Sequence, residues 1–224
     1  MHKFNQTQNN YDRLSRWYDL IEGWGEKPIC VDAIRLINIQ SGEKILEVGS
    51  GTGTNLLRIS NTAKNCEIVG LDLSYKMCQQ AKIKTKRIKD SPLDLVNGNA
   101  IYLPFPKNHF DVLFMLFTLE IIPYEYISFA LRECNRVLKP NGRICVGAMS
   151  AEKMNNLMMQ LYQWSIHHFP EVVDCRPIDL ESIMKNAGFE PSVNQFQFLW
   201  GLPVRILLAN KISRNEDEDT YFSN

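Results

Sequence analysis

Seven residues, Glu47-Val48-Gly49-Ser50-Gly51-Thr52-Gly53, restrict what this chain can fold into more than any others. They close a short apolar run, Lys44 to Val48, and open a helical pattern through Leu56, Leu57 and Ile59. Glycine lets the backbone bend between two such elements and approach a ligand closely, and the first turn of the helix carries N–H groups with no partner inside the helix. The same order then repeats. Glu67 to Asp72 reads as a strand, a helix follows through Met77 and Ala81, and a short strand lies near Asp94 to Val96. Strands alternating with helices predict an α/β fold with a parallel sheet.

The rest of the chain extends this plan. Phe110 to Leu116 is apolar almost throughout, as suits a central strand covered on both faces. A helix is predicted from about Tyr124 to Arg136, a turn at Lys139-Pro140-Asn141-Gly142, and a fifth strand from Arg143 to Met149. After an inserted helical region and a helix from Asp179 to Ala187, two strand-like runs, Val193 to Trp200 and Val204 to Ala209, flank Gly201-Leu202-Pro203. A closing hairpin sets the chain apart from a plain doubly wound nucleotide fold, which returns through a helix. The expected architecture is Rossmann-like: a seven-stranded, mostly parallel sheet with a C-terminal antiparallel hairpin and helices on both faces. Ahead of the sheet, Tyr11, Leu14, Tyr18 and Ile21 recur at helical spacing with Trp17 on the same face, and a second helix is expected from Pro28 to Ile37. The chain reads as one domain over 1–214, with N-terminal helices at about 10–40, a helical substrate lid at 151–178, and an acidic, disordered tail at 215–224.

Twenty-five basic and twenty-five acidic residues leave no net charge, which gives no electrostatic reason to expect nucleic acid as a partner. The basic run from Lys82 to Lys89 reads as a solvated helix face. The six cysteines contain no CxxC pair and are expected to be reduced, and no metal is implied. Met1 to Asn10 lacks the apolar stretch of a leader, and Asp111, Glu120, Pro123 and Glu125 interrupt the apolar stretch from Phe110 to Leu131, so a cytoplasmic chain without stable membrane insertion is expected.

Asp72 ends the second strand nineteen residues beyond Gly53, a spacing that lets its carboxylate accept bonds from both hydroxyls of a ribose. An adenosine-bearing cofactor follows. NAD is one choice, but the third glycine of a dinucleotide fingerprint would fall at Thr54 and here lies at Gly53. In addition, Glu47 stands two residues before the first glycine, where a carboxylate repels a pyrophosphate and attracts an ammonium group. A zwitterionic amino-acid moiety suits the turn better.

The segments EVGSGTG, GLDLS, NGNAIYLPFPKNHFDVL and ECNRVLKPNGRI together resemble the class I S-adenosylmethionine-dependent methyltransferases. YDRLSRWYDL before the sheet and LPFP followed by FD are similar to the ubiquinone/menaquinone C-methyltransferase group, also called methyltransferase type 11. The resemblance runs from about Tyr11 to Ala209. It implies that Gly49, Gly51 and Gly53, with Ser50 and Thr52 between them, form the floor under the methionine part of S-adenosylmethionine, with Glu47 reaching its ammonium group. It implies Asp72 at the ribose, Leu73 and Met77 near the adenine, Leu116 and Phe117 beside the methionine portion, and Tyr18 at its carboxylate. The group usually has Asp-Ala where this chain has Asn99-Ala100, and Asn99 keeps an oxygen that can accept a bond from adenine.

Methyl transfer from a sulfonium is an in-line displacement that neutralises charge, so alignment and exclusion of water matter most and a base is optional. If one is used, Glu120 is the candidate. Trp17, Tyr162, His167 and Arg176 are the candidate substrate contacts, Arg176 through an anionic group. With the Met-rich and aromatic insert they predict a small apolar or aromatic acceptor and the by-product S-adenosylhomocysteine. The alternatives are a non-catalytic S-adenosylmethionine-binding protein and an NAD-dependent oxidoreductase.

Overall fold

The computed structural model describes residues 26–62, 64–86, 88, 91–150, 152 and 177–212. The expected first helix with Trp17 and Tyr18, most of the insert with Tyr162, His167 and Arg176, and the acidic tail lie outside the described residues.

Seven strands form one sheet: β1 (Lys44–Val48), β2 (Glu67–Asp72), β3 (Leu93–Asn97), β4 (Phe110–Leu116), β5 (Leu138–Met149), β6 (Phe189–Leu199) and β7 (Leu202–Lys211), in the order β3-β2-β1-β4-β5-β7-β6. The first five run parallel, and β7 pairs antiparallel with both β5 and β6. The described helices are α1 (Lys27–Ile37), α2 (Thr54–Thr62), α3 (Tyr75–Thr85), α4 (Tyr124–Val137) and α5 (Leu180–Asn186), with a 3-10 turn at Leu119–Ile121 that the sequence did not foreshadow.

Side chains alternate across a strand, and the central strands are apolar on both faces. On one face Leu46, Leu113, Met115 and Val146 pack with Ile127, Leu131 and Cys134 of α4. On the other, Ile45, Val112, Phe114 and Cys145 pack with Ile29, Ala33 and Ile37 of α1 and with Leu56 and Ile59 of α2. Each large side chain buried in this way contributes about 1.5–3 kcal/mol of transfer free energy. Cys30, Cys66, Cys78, Cys134 and Cys145 are buried thiols outside any disulfide among the described residues.

Three strand boundaries differ from expectation. Lys139-Pro140-Asn141-Gly142 belongs to β5, where pairing steps from Phe110↔Leu138 to Val112↔Arg143. The turn chemistry is thus spent on an irregularity within the strand, with Asn141 at φ 62. The hairpin turn sits at Trp200-Gly201, both at positive φ, so Leu202 and Pro203 are already in β7. β6 also begins earlier than expected, at Phe189, and carries Pro191 because it is an edge strand.

Arg205 of β7 is only 5% exposed. Its guanidinium pairs with both Glu152 and Glu181, its Nε donates to Asn194 Oδ1 at 2.8 Å, and it lies 5.2 Å from the Phe196 ring centroid. Glu152 and Glu181 stand on either side of 153–176 in the chain, so one cation ties the two approaches to that segment. No described helix is long and apolar enough to cross a membrane.

Candidate functional site

The C-terminal ends of parallel strands, where helices begin, are where open α/β sheets bind ligands. Here the ends of β1, β2 and β4 and the loop after β3 surround a cleft. Its polar side begins with the turn after β1. Gly49 and Ser50 donate their N–H groups to Leu71 O at 2.8 and 3.0 Å, which fastens the turn to the end of β2. Gly49 has φ 77, and a Cβ there would stand 2.3 Å from Thr118 Oγ1. That hydroxyl in turn donates within reach of Leu116 O (2.9 Å) and Val48 O (3.3 Å), so β1, β4 and the turn meet at one point.

Asp72 is fixed by two backbone donors. Gly51 N–H donates to its Oδ2 and Ser74 N–H to its Oδ1, each at 2.8 Å. A carboxylate oxygen has more than one lone-pair site, so both can accept a further hydroxyl proton from the cleft. Ser74 is the N-cap of α3, its side chain accepting Met77 N–H at 3.2 Å. Asn97 at the end of β3 donates through Nδ2 to Asp72 O and Leu73 O at 3.0 and 2.9 Å, holding the loop after β2 against the loop after β3. The Ser50 hydroxyl oxygen is buried with no hydrogen-bond partner among the described residues, and Ser50 lines the cleft.

Of the residues singled out from sequence, Gly49, Ser50, Gly51, Asp72, Leu73, Met77, Asn99, Ala100, Leu116 and Phe117 line this one cleft. Three others expected at the cofactor stand outside the lining. Glu47 is 2% exposed within β1, where it pairs in register with Gly70 and Phe114. Thr52 is buried and takes a bond from Lys84 Nζ at 2.7 Å. A Cβ on Gly53, which has φ 82, would come within 3.0 Å of Ala81 Cβ, so the absent side chain is what lets α3 pack close behind the turn. Thr118, Ser74, Gly98, Ile121 and Ile122 also line the cleft and were missed. Of these, Ser74 had a readable signal, a capping residue directly before a helical pattern.

Glu120 lies in the 3-10 turn next to these residues and is 2% exposed. Burial lifts its pKa to about 8, and the negative charge of Glu26 adds to the rise against the pull of backbone donors. One of those donors is Met149 N–H, 3.2 Å from Oε1, while Oε2 is without a hydrogen-bond partner among the described residues. Glu120 does not line the cleft, although Ile121 and Ile122 directly after it do. Cys78 is near Asp72 but is no nucleophile, because burial, and then the Asp72 charge, push its thiol up to about 11. Among the described residues no cluster of side chains suits a metal ion.

The arrangement suits a ligand with a ribose and a planar base, since the lining combines a carboxylate and a backbone turn with the apolar Met77, Leu116 and Phe117. Comparison with known proteins agrees. The family model described as a methyltransferase domain matches residues 46–146. A demethylmenaquinone methyltransferase of Bacillus licheniformis is 33% identical over 215 residues, covering 84% of this chain and 89% of that protein. One of Oceanobacillus iheyensis is 33% identical over 144 residues, covering 64% of this chain, and there the match spans 58% of the relative's length. Among solved structures, an S-adenosylmethionine-dependent methyltransferase of Thermotoga maritima has a TM-score of 0.70 at 21% identity, covering 92% of this chain and 100% of that one. The cyclase SpnF has a TM-score of 0.73 at 17% identity, covering 93% and 96%. At such identities the structural likeness speaks for the fold alone.

Proposed function

Since the chain belongs to the class I S-adenosylmethionine-dependent methyltransferases, in the group resembling ubiquinone/menaquinone C-methyltransferases, we propose that it methylates a small, apolar aromatic acceptor of the quinol type. The observation that carries the cofactor half is the Asp72 carboxylate, pinned by Gly51 and Ser74 N–H groups at the mouth of the glycine turn. Asp72 would hold the ribose hydroxyls, and Gly49 to Gly51 would pass beneath the methionine portion. Leu73 and Met77 would flank the base, and Leu116 and Phe117 the sulfur side. Support for the acceptor comes from the names of the relatives and from the apolar edge made by Phe117, Ile121 and Ile122.

The cofactor, when bound, supplies an electrophilic methyl group on a positively charged sulfur. The acceptor carbon forms the new C–C bond, the S–C bond breaks, and the carbon then gives up its proton. The chain's part is to align the two reactants and keep water out, which is worth about 7–11 kcal/mol in well-oriented cases. Glu120 is the proposed destination of the proton, in the ionised fraction that burial restricts to pH near and above about 8, and it would act from behind Ile121 and Ile122, which line the cleft where it does not. Tyr18 at the cofactor carboxylate, and Trp17, Tyr162, His167 and Arg176 at the acceptor, complete the proposal from sequence.

The test is calorimetric titration with S-adenosylmethionine, S-adenosylhomocysteine and NAD, followed by product analysis with a short-chain demethylmenaquinol, simple phenols and amines. The reading expects one-site binding of the first two ligands and a methylated quinol ring. Binding without turnover of any acceptor would favour a non-catalytic cofactor-binding protein. Binding of NAD alone would overturn the assignment.

A further inference from the structure

Of the described residues that line the cleft, Asp72 and Glu26 are the two that carry a charge, and both are acids. They stand on different sides of it. Asp72 closes β2, and a ligand with its ribose there can turn its base toward Gly98 and Ala100 in the loop after β3. In the strand order β3-β2-β1-β4 the rest of that ligand then runs the other way, over the glycine turn toward Leu116 and Phe117 at the end of β4. Glu26 belongs to this second side. It directly precedes α1, which packs in one cluster with Phe114 of β4 and Cys145 of β5, and it is half-buried. Its negative charge acts on Glu120, in the 3-10 turn after β4, whose neighbours Ile121 and Ile122 line the cleft with it. The Glu26 carboxylate is thus directed at the wall past which the sulfur of the cofactor would lie.

We propose that Glu26 reads the charge on the cofactor's sulfur, giving the sulfonium of S-adenosylmethionine an attraction that the thioether of S-adenosylhomocysteine does not receive. The inference rests on the proposed cofactor reading and makes it more specific. In the transfer the S–C bond breaks, its electron pair stays on sulfur, and the methyl group bonds to the acceptor carbon, so the sulfur becomes neutral. Glu26 then faces an uncharged atom, and part of what held the cofactor is gone when the product has to leave. Glu120 does not compete for this role at neutral pH. Burial, helped by the charge of Glu26, keeps it protonated below about 8, while its Oε1 accepts Met149 N–H at 3.2 Å. Of the two acids that meet here, one therefore holds a proton and the other the charge. An opposite charge within about 4–6 Å changes such an equilibrium about tenfold or more.

The experiment is calorimetric titration at neutral pH of three ligands into the full chain and into Glu26→Gln. They are S-adenosylmethionine, S-adenosylhomocysteine, and sinefungin, which carries an amine where the sulfonium carries its methyl group. Glu26→Gln is expected to weaken the first and third about tenfold and the second by less than about threefold. Near-normal binding of S-adenosylhomocysteine also shows that the variant is folded. A ratio of S-adenosylmethionine to S-adenosylhomocysteine affinity that Glu26→Gln leaves unmoved overturns the proposal. So does a loss shared equally by all three, which would put the carboxylate at the amino-acid end that they have in common. Binding of none of the three to the wild type would instead overturn the cofactor reading, and the inference with it.

Discussion

The Asp72 carboxylate reaches across from the end of β2 to accept the Gly51 N–H at 2.8 Å, so the acid that ends one strand also shapes the glycine turn that ends its neighbour. Site and scaffold are coupled through this bond. Asp72→Ala is expected to weaken S-adenosylhomocysteine binding about tenfold to a hundredfold, the range for hydrogen bonds to a charged group. Calorimetry on the variant measures it, and an unchanged affinity would remove the ribose from Asp72.

Gly49 allows the closest approach in the turn. Gly49→Ala must hold φ 77 with a side chain and must also push Thr118 away from a Cβ that would lie 2.3 Å from its hydroxyl. The left-handed backbone costs about 1–2 kcal/mol and the overpacking about 1–3 kcal/mol more. Urea unfolding of Gly49→Ala, alone and with Thr118→Ala, separates the two parts. Only the steric part is expected to be relieved in the double variant.

Glu120 makes stability depend on pH in the direction opposite to a salt-bridged acid. Its pKa is raised from 4.5 to about 8 in the folded chain, so between those values the folded state holds a proton that the unfolded state has released. Stability contributed by the protonated form is complete below about 4.5 and is lost as pH rises through about 8. Denaturation midpoints are expected to fall from pH 5 to pH 8.5 in the wild type and to fall less in Glu120→Gln. Equal slopes in the two proteins would count against the buried acid as the source.

Arg205→Met is expected to cost about 1–3 kcal/mol, less than the loss of a partner from a fully buried pair. The reason is that Glu152 and Glu181, with side chains 48% and 31% exposed, regain water when the guanidinium is gone. Urea unfolding gives the difference. A loss below about 0.5 kcal/mol would mean that the two ion pairs are no stronger than surface ones.

The sheet was legible because its central strands are short apolar runs set between helical patterns, and such runs need no knowledge of their neighbours to be read. Asp72 was placed in the same way, since it is the last residue of an apolar strand, and Asn99 stands two positions past the end of β3. Lys139-Pro140-Asn141-Gly142 misled because the residues that make a turn also make a kink inside a strand, and only the pairing with β4 tells the two apart. Thr118 gave no signal, as one hydroxyl after a strand belongs to no periodic pattern, and its partner Gly49 is far away in the chain. The packing role of Gly53 against Ala81 was not legible, because a glycine that admits a cofactor and one that admits a helix look alike in sequence.

The double pairing of Arg205 joins places that the covalent chain keeps apart. Glu152 and Glu181 are twenty-nine positions apart in sequence, and both meet the one guanidinium that β7 carries. The stretch just after β5 and the first turn of α5 are thereby anchored to the same antiparallel strand, by charge and not by strand pairing.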